Sequence, residues 1–219
     1  MRQFSIFVLC AVASVLCLAL PAEEPWQAAL ARMPISRETP LNRDNCLPLL
    51  LGSFRSNECI KALVVLPAVS DDFYLIHRDR QKLDIEAANL LTAITALTNA
   101  TSLRATFKSS FLLLHLDRDS LEPSLIVTDK STAEDCKARS HLPHALWIDL
   151  HWERLQPELH RSLKMDIRPA PQSMDAWHFA RHNVAAWNLT DWELLEVLSL
   201  TGKTTVIVQK HRLLFQVRS

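Results

Sequence analysis

Histidine and tryptophan crowd the second half of this chain. Seven of its nine histidines lie between His141 and His211, and five of its six tryptophans between Trp147 and Trp192. Two spacings suit a metal: His141-x-x-His144 and His178-x-x-x-His182. Histidines four apart on a helix share a face and can hold one zinc ion, with His151 or Asp149 as a third ligand. The candidate metal set is therefore His141, His144, His151, His178 and His182. Against it, His178-Phe179-Ala180-Arg181-His182 lacks the glutamate of a metalloprotease helix, and Arg181 repels a cation. Dispersed polar surface histidines explain the same spacing, so no cofactor is expected. A metal-binding protein or zinc-dependent hydrolase stays as the alternative reading.

Other chemistries find less support. Two glycines, Gly52 and Gly202, exclude a P-loop and a dinucleotide fingerprint. No Gly-x-Ser-x-Gly elbow is present. Asp71-Asp72, Asp117-x-Asp119 and Glu134-Asp135 stand in turn-like contexts that account for them without catalysis. Asn99-Ala100-Thr101 and Asn188-Leu189-Thr190 match glycosylation acceptors, but both fall at helix boundaries where Asn and Thr are wanted anyway. The tryptophans offer an aromatic binding face, and burial in a core is the simpler use. With 24 basic and 24 acidic residues the chain carries no electrostatic footprint for nucleic acid. No catalytic residue is assigned.

The N-terminus has the layout of a signal peptide over residues 1–22: a short basic end at Arg2, an apolar run from Phe4 to Leu20, then Pro21-Ala22. Retention of that run would instead make a membrane anchor; after cleavage no membrane span is expected. Export to the periplasm or outside the cell puts Cys46, Cys59 and Cys136 in an oxidising compartment. Cys46–Cys59 is the nearest pair for a disulfide, and Cys136, beside two acidic residues, is a poor thiolate.

The elements that carry these residues divide into five stretches. After 1–22 comes a proline-containing lead, 23–58, broken at Pro34, Pro40 and Pro48 and read as lying outside the core. A first α+β module takes 59–127, with strands expected at Ile60–Val69, Phe73–His77 and Leu83–Ala88. Asn89 caps a helix whose Leu90, Ala93, Ile94, Leu97 and Ala100 form one stripe. A hairpin follows, turning at Ser109-Ser110. A connecting strand–helix segment, 128–182, holds a strand at Ala145–Trp152 with Trp147, Asp149 and His151 on one face. Its helices are expected at Gln156–Met165 and Met174–His182. The second module, 183–219, starts with a weak strand and the capping box Thr190-x-x-Glu193. Its helix ends at Gly202 as a C-cap, and a hairpin closes the chain.

At a constant offset of 101 residues the two modules align without a gap. Leu97 falls on Leu198, Ala105 on Val206 and Phe107 on Val208. The strand, the run Asn89-Leu90-Leu91-x-Ala93-Ile94-x-Ala96-Leu97-Thr98, and a hairpin ending in Leu112-Leu113-Leu114-His115-Leu116 resemble the STN module. That is the short N-terminal βαββ unit of secretins and TonB-dependent receptors. Leu194-Leu195, Leu198, Thr201-Gly202 and Val206-Ile207-Val208 are similar to it again. The resemblance covers 83–117 and 184–217 and consists of apolar spacing, with no required chemical group. It implies an extracytoplasmic protein-interaction or signalling unit that lacks catalytic residues. The expected fold is α+β, two small βαββ modules joined by a mixed segment. The expected role is non-enzymatic binding of an unidentified protein partner of the cell envelope.

Overall fold

A computed structural model of the chain describes residues 25–35, 40–42, 45–66, 84–173 and 181–218. The expected signal peptide, the strand Phe73–His77 and residues 174–180 of an expected helix lie outside the described residues. The fold is α+β, with two mixed sheets and a small ribbon. In chain order the helices are α1 (Pro25–Ala31), α2 (Cys46–Ser53), α3 (Leu90–Ala100), α4 (Lys130–Ala138), α5 (Trp152–Leu163) and α6 (Asp191–Thr201). The strands are β1 (Leu41–Asn42), β2 (Ala62–Val65), β3 (Asp84–Ile85), β4 (Arg104–Lys108), β5 (Phe111–His115) and β6 (Ser124–Val127). They continue with β7 (His144–His151), β8 (Asp166–Pro169), β9 (Arg181–Trp187), β10 (Thr204–Gln209) and β11 (Arg212–Val217).

A five-stranded sheet, in the order β4-β5-β2-β9-β7, separates two cores. Side chains alternate across a strand, so Leu63, Val65, Leu112, Leu114 and Ala185 point to one core and Ala62, Val64, Phe111, Leu113 and Val184 to the other. Strands β2 and β5 are buried on both faces, which is why they read as unbroken apolar runs. Helices α1, α2 and α3 cover the first face. Leu30, Met33, Leu41, Leu47, Leu50, Leu51 and Phe54 of the lead segment are buried there, so 23–58 supplies core. Leu49–Leu51 is helical despite Pro48, because proline sits in the first turn of α2, where its missing N–H has no intrahelical partner to lose.

The second face packs on α6, and beyond α6 lies a four-stranded sheet ordered β6-β10-β11-β8. Helix α6 meets β2 and β9 on one side and β6 and β10 on the other. That placement explains why Leu194, Leu195, Val197, Leu198 and Leu200 surround it without leaving a polar face. Each such buried aliphatic side chain contributes about 1.5–3 kcal/mol. Helix α5 begins at Trp152, four residues earlier than its periodicity from Gln156 suggests. Trp152, Leu155, Leu159 and Leu163 form its buried stripe, and Pro157 lies inside it on the exposed side. Helix α4 holds Glu134-Asp135, for which a turn-like context was expected. Its buried face is only Ala133 and Cys136, too small a stripe to stand out, and Asp129 caps it by accepting from the Thr132 N–H at 3.0 Å.

The strand–helix–hairpin order recurs at the expected offset, with both helices closed by capping boxes, Asn89/Thr92 and Thr190/Glu193. Pairing does not follow the repeat. Strand β3 pairs with β1, and β9 joins the sheet that holds the first hairpin, while the second hairpin builds the other sheet. The two units interlock.

Backbone detail adds to the expected C-cap of α6 and departs from expectation in β7. Gly202 ends α6 with φ −81°, and the left-handed position falls to Lys203, φ 49°. A Cβ there would lie 3.0 Å from the Leu198 carbonyl oxygen, a tight approach, and in ordinary contact with the His182 ring at 3.5 Å. In β7 a bulge places Ile148 and Asp149 opposite the single residue Asn183, with Asp149 at φ 51°. The strict alternation of Trp147, Asp149 and His151 is therefore broken, and Leu150 returns to the side of Trp147.

The β4–β5 turn has φ 57° at Ser109 and 105° at Ser110, the sign pattern of a type I′ turn on residues ill-suited to it. Replacing Ser109-Ser110 by Asn-Gly should raise stability by about 0.5–1 kcal/mol, measured by urea denaturation. An unchanged midpoint would show that the turn carries no such strain.

Candidate functional site

The described members of the histidine set do not converge. His144 and His151 occupy opposite ends of β7, roughly 20 Å apart along a strand. His178 lies outside the described residues. His141, in the loop after α4, faces Asp191 at the start of α6: its Nδ1 is 2.5 Å from Oδ2, and its backbone N–H donates to Oδ1 at 3.0 Å. Among the described residues no three His, Cys, Asp or Glu side chains are placed to hold a metal ion.

His182 is a core residue. It lies on β9 between Trp147 and Trp152, 1% exposed. The Thr201 hydroxyl donates to the Val197 carbonyl at 2.9 Å, so its oxygen must accept from His182 Nδ1–H at 2.7 Å. That leaves Nε2 as a bare lone pair, buried and without a hydrogen-bond partner. Burial pushes the imidazole pKa down to about 3, so the ring is neutral at physiological pH. Such a ring packs; it does not shuttle protons.

One cavity, about 250 Å³, brings a thiol, an imidazole and a carboxylate together: Cys136, His141 and Asp191, with Arg139, Lys164 and His211 also on its wall. The His141–Asp191 pair has the orientation that would position a base for a nucleophile. No hydrogen bond joins Cys136 to His141, and the thiol pKa is raised to about 11, chiefly by burial and then by Asp191 and Asp135. A thiol held so far from ionisation is a poor nucleophile. The Asp191 carboxylate instead fastens the loop to α6, since the Asp191 N–H also donates to the Arg139 carbonyl at 2.8 Å. Cys46, Cys59 and Cys136 are thiols, so the candidate Cys46–Cys59 bridge is not formed.

Asp71-Asp72 and Trp177 lie outside the described residues, and the described carboxylate pairs have structural partners. Asp117 pairs with Arg104, Asp119 with Lys203 at 3.1 Å, Glu134 with Lys137 and Asp135 with Arg139. Trp147 and Trp152 are buried, and Trp192 donates to Glu196 at 3.0 Å. His115, which sequence reading passed over, is 6% exposed, and its Nε2 lies 2.8 Å from the Thr106 hydroxyl across the β4–β5 ladder.

What stands out is at the sheet edges. Among the described residues the exposed large apolar side chains are Ile126, Val127, Leu146 and Ile148. All four lie on β6 and β7, which are edge strands of the two large sheets. The opposite edges are blunted. Strand β4 carries Arg104 and Lys108, paired with Asp117 and Glu122, and β8 carries Asp166, Arg168 and Pro169. Charge and proline at an edge discourage pairing with another chain, whereas an apolar edge invites it. Periodicity alone could not find this feature, because nothing local says which strand ends a sheet.

No protein-family model matches the chain, and neither a curated protein nor a solved structure matches it.

Proposed function

We propose that this chain is an exported, non-enzymatic protein-interaction protein of the cell envelope or periplasm. In this reading its STN-like strand–helix–hairpin units build a rigid frame, and the frame offers its open sheet edges to a partner protein. The observation that carries the reading is the confinement of exposed large apolar side chains to β6 and β7, while β4 and β8 are charged. The hairpin strands themselves are poor docking edges: β4 is guarded by charge, and β10 and β11 are internal to their sheet. Strand addition at an open edge supplies affinity through main-chain hydrogen bonds and specificity through alternate side chains.

The test is photo-crosslinking in the native host, with benzoylphenylalanine placed at Leu146, at Ile126 and, as a control, at the exposed Arg154 on α5. A discrete covalent product with the same partner from an edge position, absent at Arg154, is the expected result. No product from either edge would overturn the reading.

A further inference from the structure

The two open edges are not equivalent. Strand β6 has four residues, about 13 Å of edge, and its exposed Ile126 and Val127 are consecutive and so point to opposite faces. Strand β7 has eight residues, and His144, Leu146 and Ile148 are exposed at alternate positions between the buried Ala145 and Trp147. Those three side chains therefore form one row on one face. The row borders the helix-covered side of the sheet: Leu146 is opposite the buried Ala185, and His144 is opposite Trp187. Helix α2 lies alongside, touching both β7 and β9. Edge strand and neighbouring helix therefore lie side by side on this face. The bulge at Ile148 and Asp149 interrupts the ladder and sets the far end of the usable edge.

The near end carries a cation with no counter-charge paired to it among the described residues. Arg55, just past α2, lies over the Trp187 ring with its guanidinium carbon 5.8 Å from the centroid, and the His144 ring is 4.6 Å from the same indole. Arg55 Nη1 donates to the carbonyls of Gly52 at 2.7 Å and Phe54 at 2.6 Å, which fixes the group and leaves the Nε and Nη2 donors. Among the described residues no carboxylate pairs with Arg55 or His144. A Cβ built on Gly52 would meet nothing within 4 Å, so the end of α2 is open beside this group. A guanidinium held by neutral carbonyls and an indole is a fork suited to a carboxylate.

We propose that the edge of β7 from His144 to Ile148, with α2 and Arg55, takes an extended segment of a partner protein by strand addition. That segment is apolar at the alternate positions facing Leu146 and Ile148, and it carries an Asp or Glu beside Arg55 and His144. The proposal rests on the protein-interaction reading and deepens it by naming the edge and the chemistry of the partner segment.

The probe is a random peptide display library selected on the immobilised full chain, with enriched peptides remade and measured by fluorescence anisotropy. Enriched sequences should alternate apolar residues and carry an acidic residue at one end. Leu146→Lys should weaken them about tenfold or more, and Arg55→Glu about fivefold. Both sites are surface positions, and circular dichroism checks that each variant folds. Reversing the peptide's acidic residue to lysine should restore binding to Arg55→Glu. Peptides insensitive to Leu146→Lys but lost with Ile126→Lys would overturn the β7 assignment while leaving the interaction reading intact. An enriched pool with no acidic preference, or no enrichment at all, overturns the proposed chemistry.

Discussion

Trp152→Ala should lower the unfolding free energy by about 3–5 kcal/mol, seen as a fall in the urea midpoint with little change in slope. The residue is 1% exposed and opens α5, with its ring 5.1 Å from Phe215 on β11 and 5.6 Å from His182 on β9. It thus bridges the four-stranded sheet to the five-stranded one, and no neighbouring side chain can swing in to fill so large a void. Total stabilities of single domains run to about 5–15 kcal/mol, so this one substitution removes a large share. The coupling can be isolated. A double-mutant cycle between Trp152→Ala and Phe215→Leu should return about 0.5–1.5 kcal/mol of interaction energy. Additive effects would mean that the two sheets are held together elsewhere.

The second large effect is acid sensitivity through His182. In the unfolded chain its imidazole titrates near the ordinary value of 6.5, whereas in the fold burial holds it at about 3. Between those values the unfolded state binds the proton and the folded state does not, so stability falls as pH falls. The slope is about 1.4 kcal/mol per pH unit across that window, with no contribution above it and no further loss below it. His182→Asn keeps an N–H directed at the Thr201 hydroxyl and removes the titration. At neutral pH the variant should be less stable, because the ring leaves a cavity between Trp147 and Trp152. On acidification the gap between the two proteins should narrow and then reverse. Denaturation curves at pH 7, 6, 5 and 4 decide it, and a constant gap across the series would show that His182 is protonated in the folded protein.

His182 also shows how sequence spacing misleads. Four residues after His178 it suggested a metal ligand, yet it lies on a strand whose neighbours Asn183, Val184, Ala185 and Ala186 are all buried. A histidine between two tryptophans and a threonine has its polar need half met and its remaining nitrogen sealed away. Cys136 is similar. Its acidic neighbours in sequence already argued against a thiolate, and burial, which sequence does not display, is the larger cause of the raised pKa. Gly202 was legible as a helix end, but its contact with the His182 ring was not, since that ring comes from β9.

The chain's own order of residues was enough to determine helices α3 and α6, the Asn89 cap, the Thr190/Glu193 capping box and both hairpins. Each depends on contacts within a few residues: a stripe of period 3.6, a side chain reaching the third N–H, a two-residue turn. The α+β class follows from those same local patterns. Only the tertiary structure decided that β9 joins the first hairpin's sheet, that α6 is enclosed between two sheets, and that the lead segment is core. It alone decided that β6 and β7 are edges. The physical reason is that a strand's period of two tells which side chains share a face, while its hydrogen-bonding partner is chosen by groups far away in sequence. An edge is a strand whose second partner is missing, and that is a property of the whole sheet.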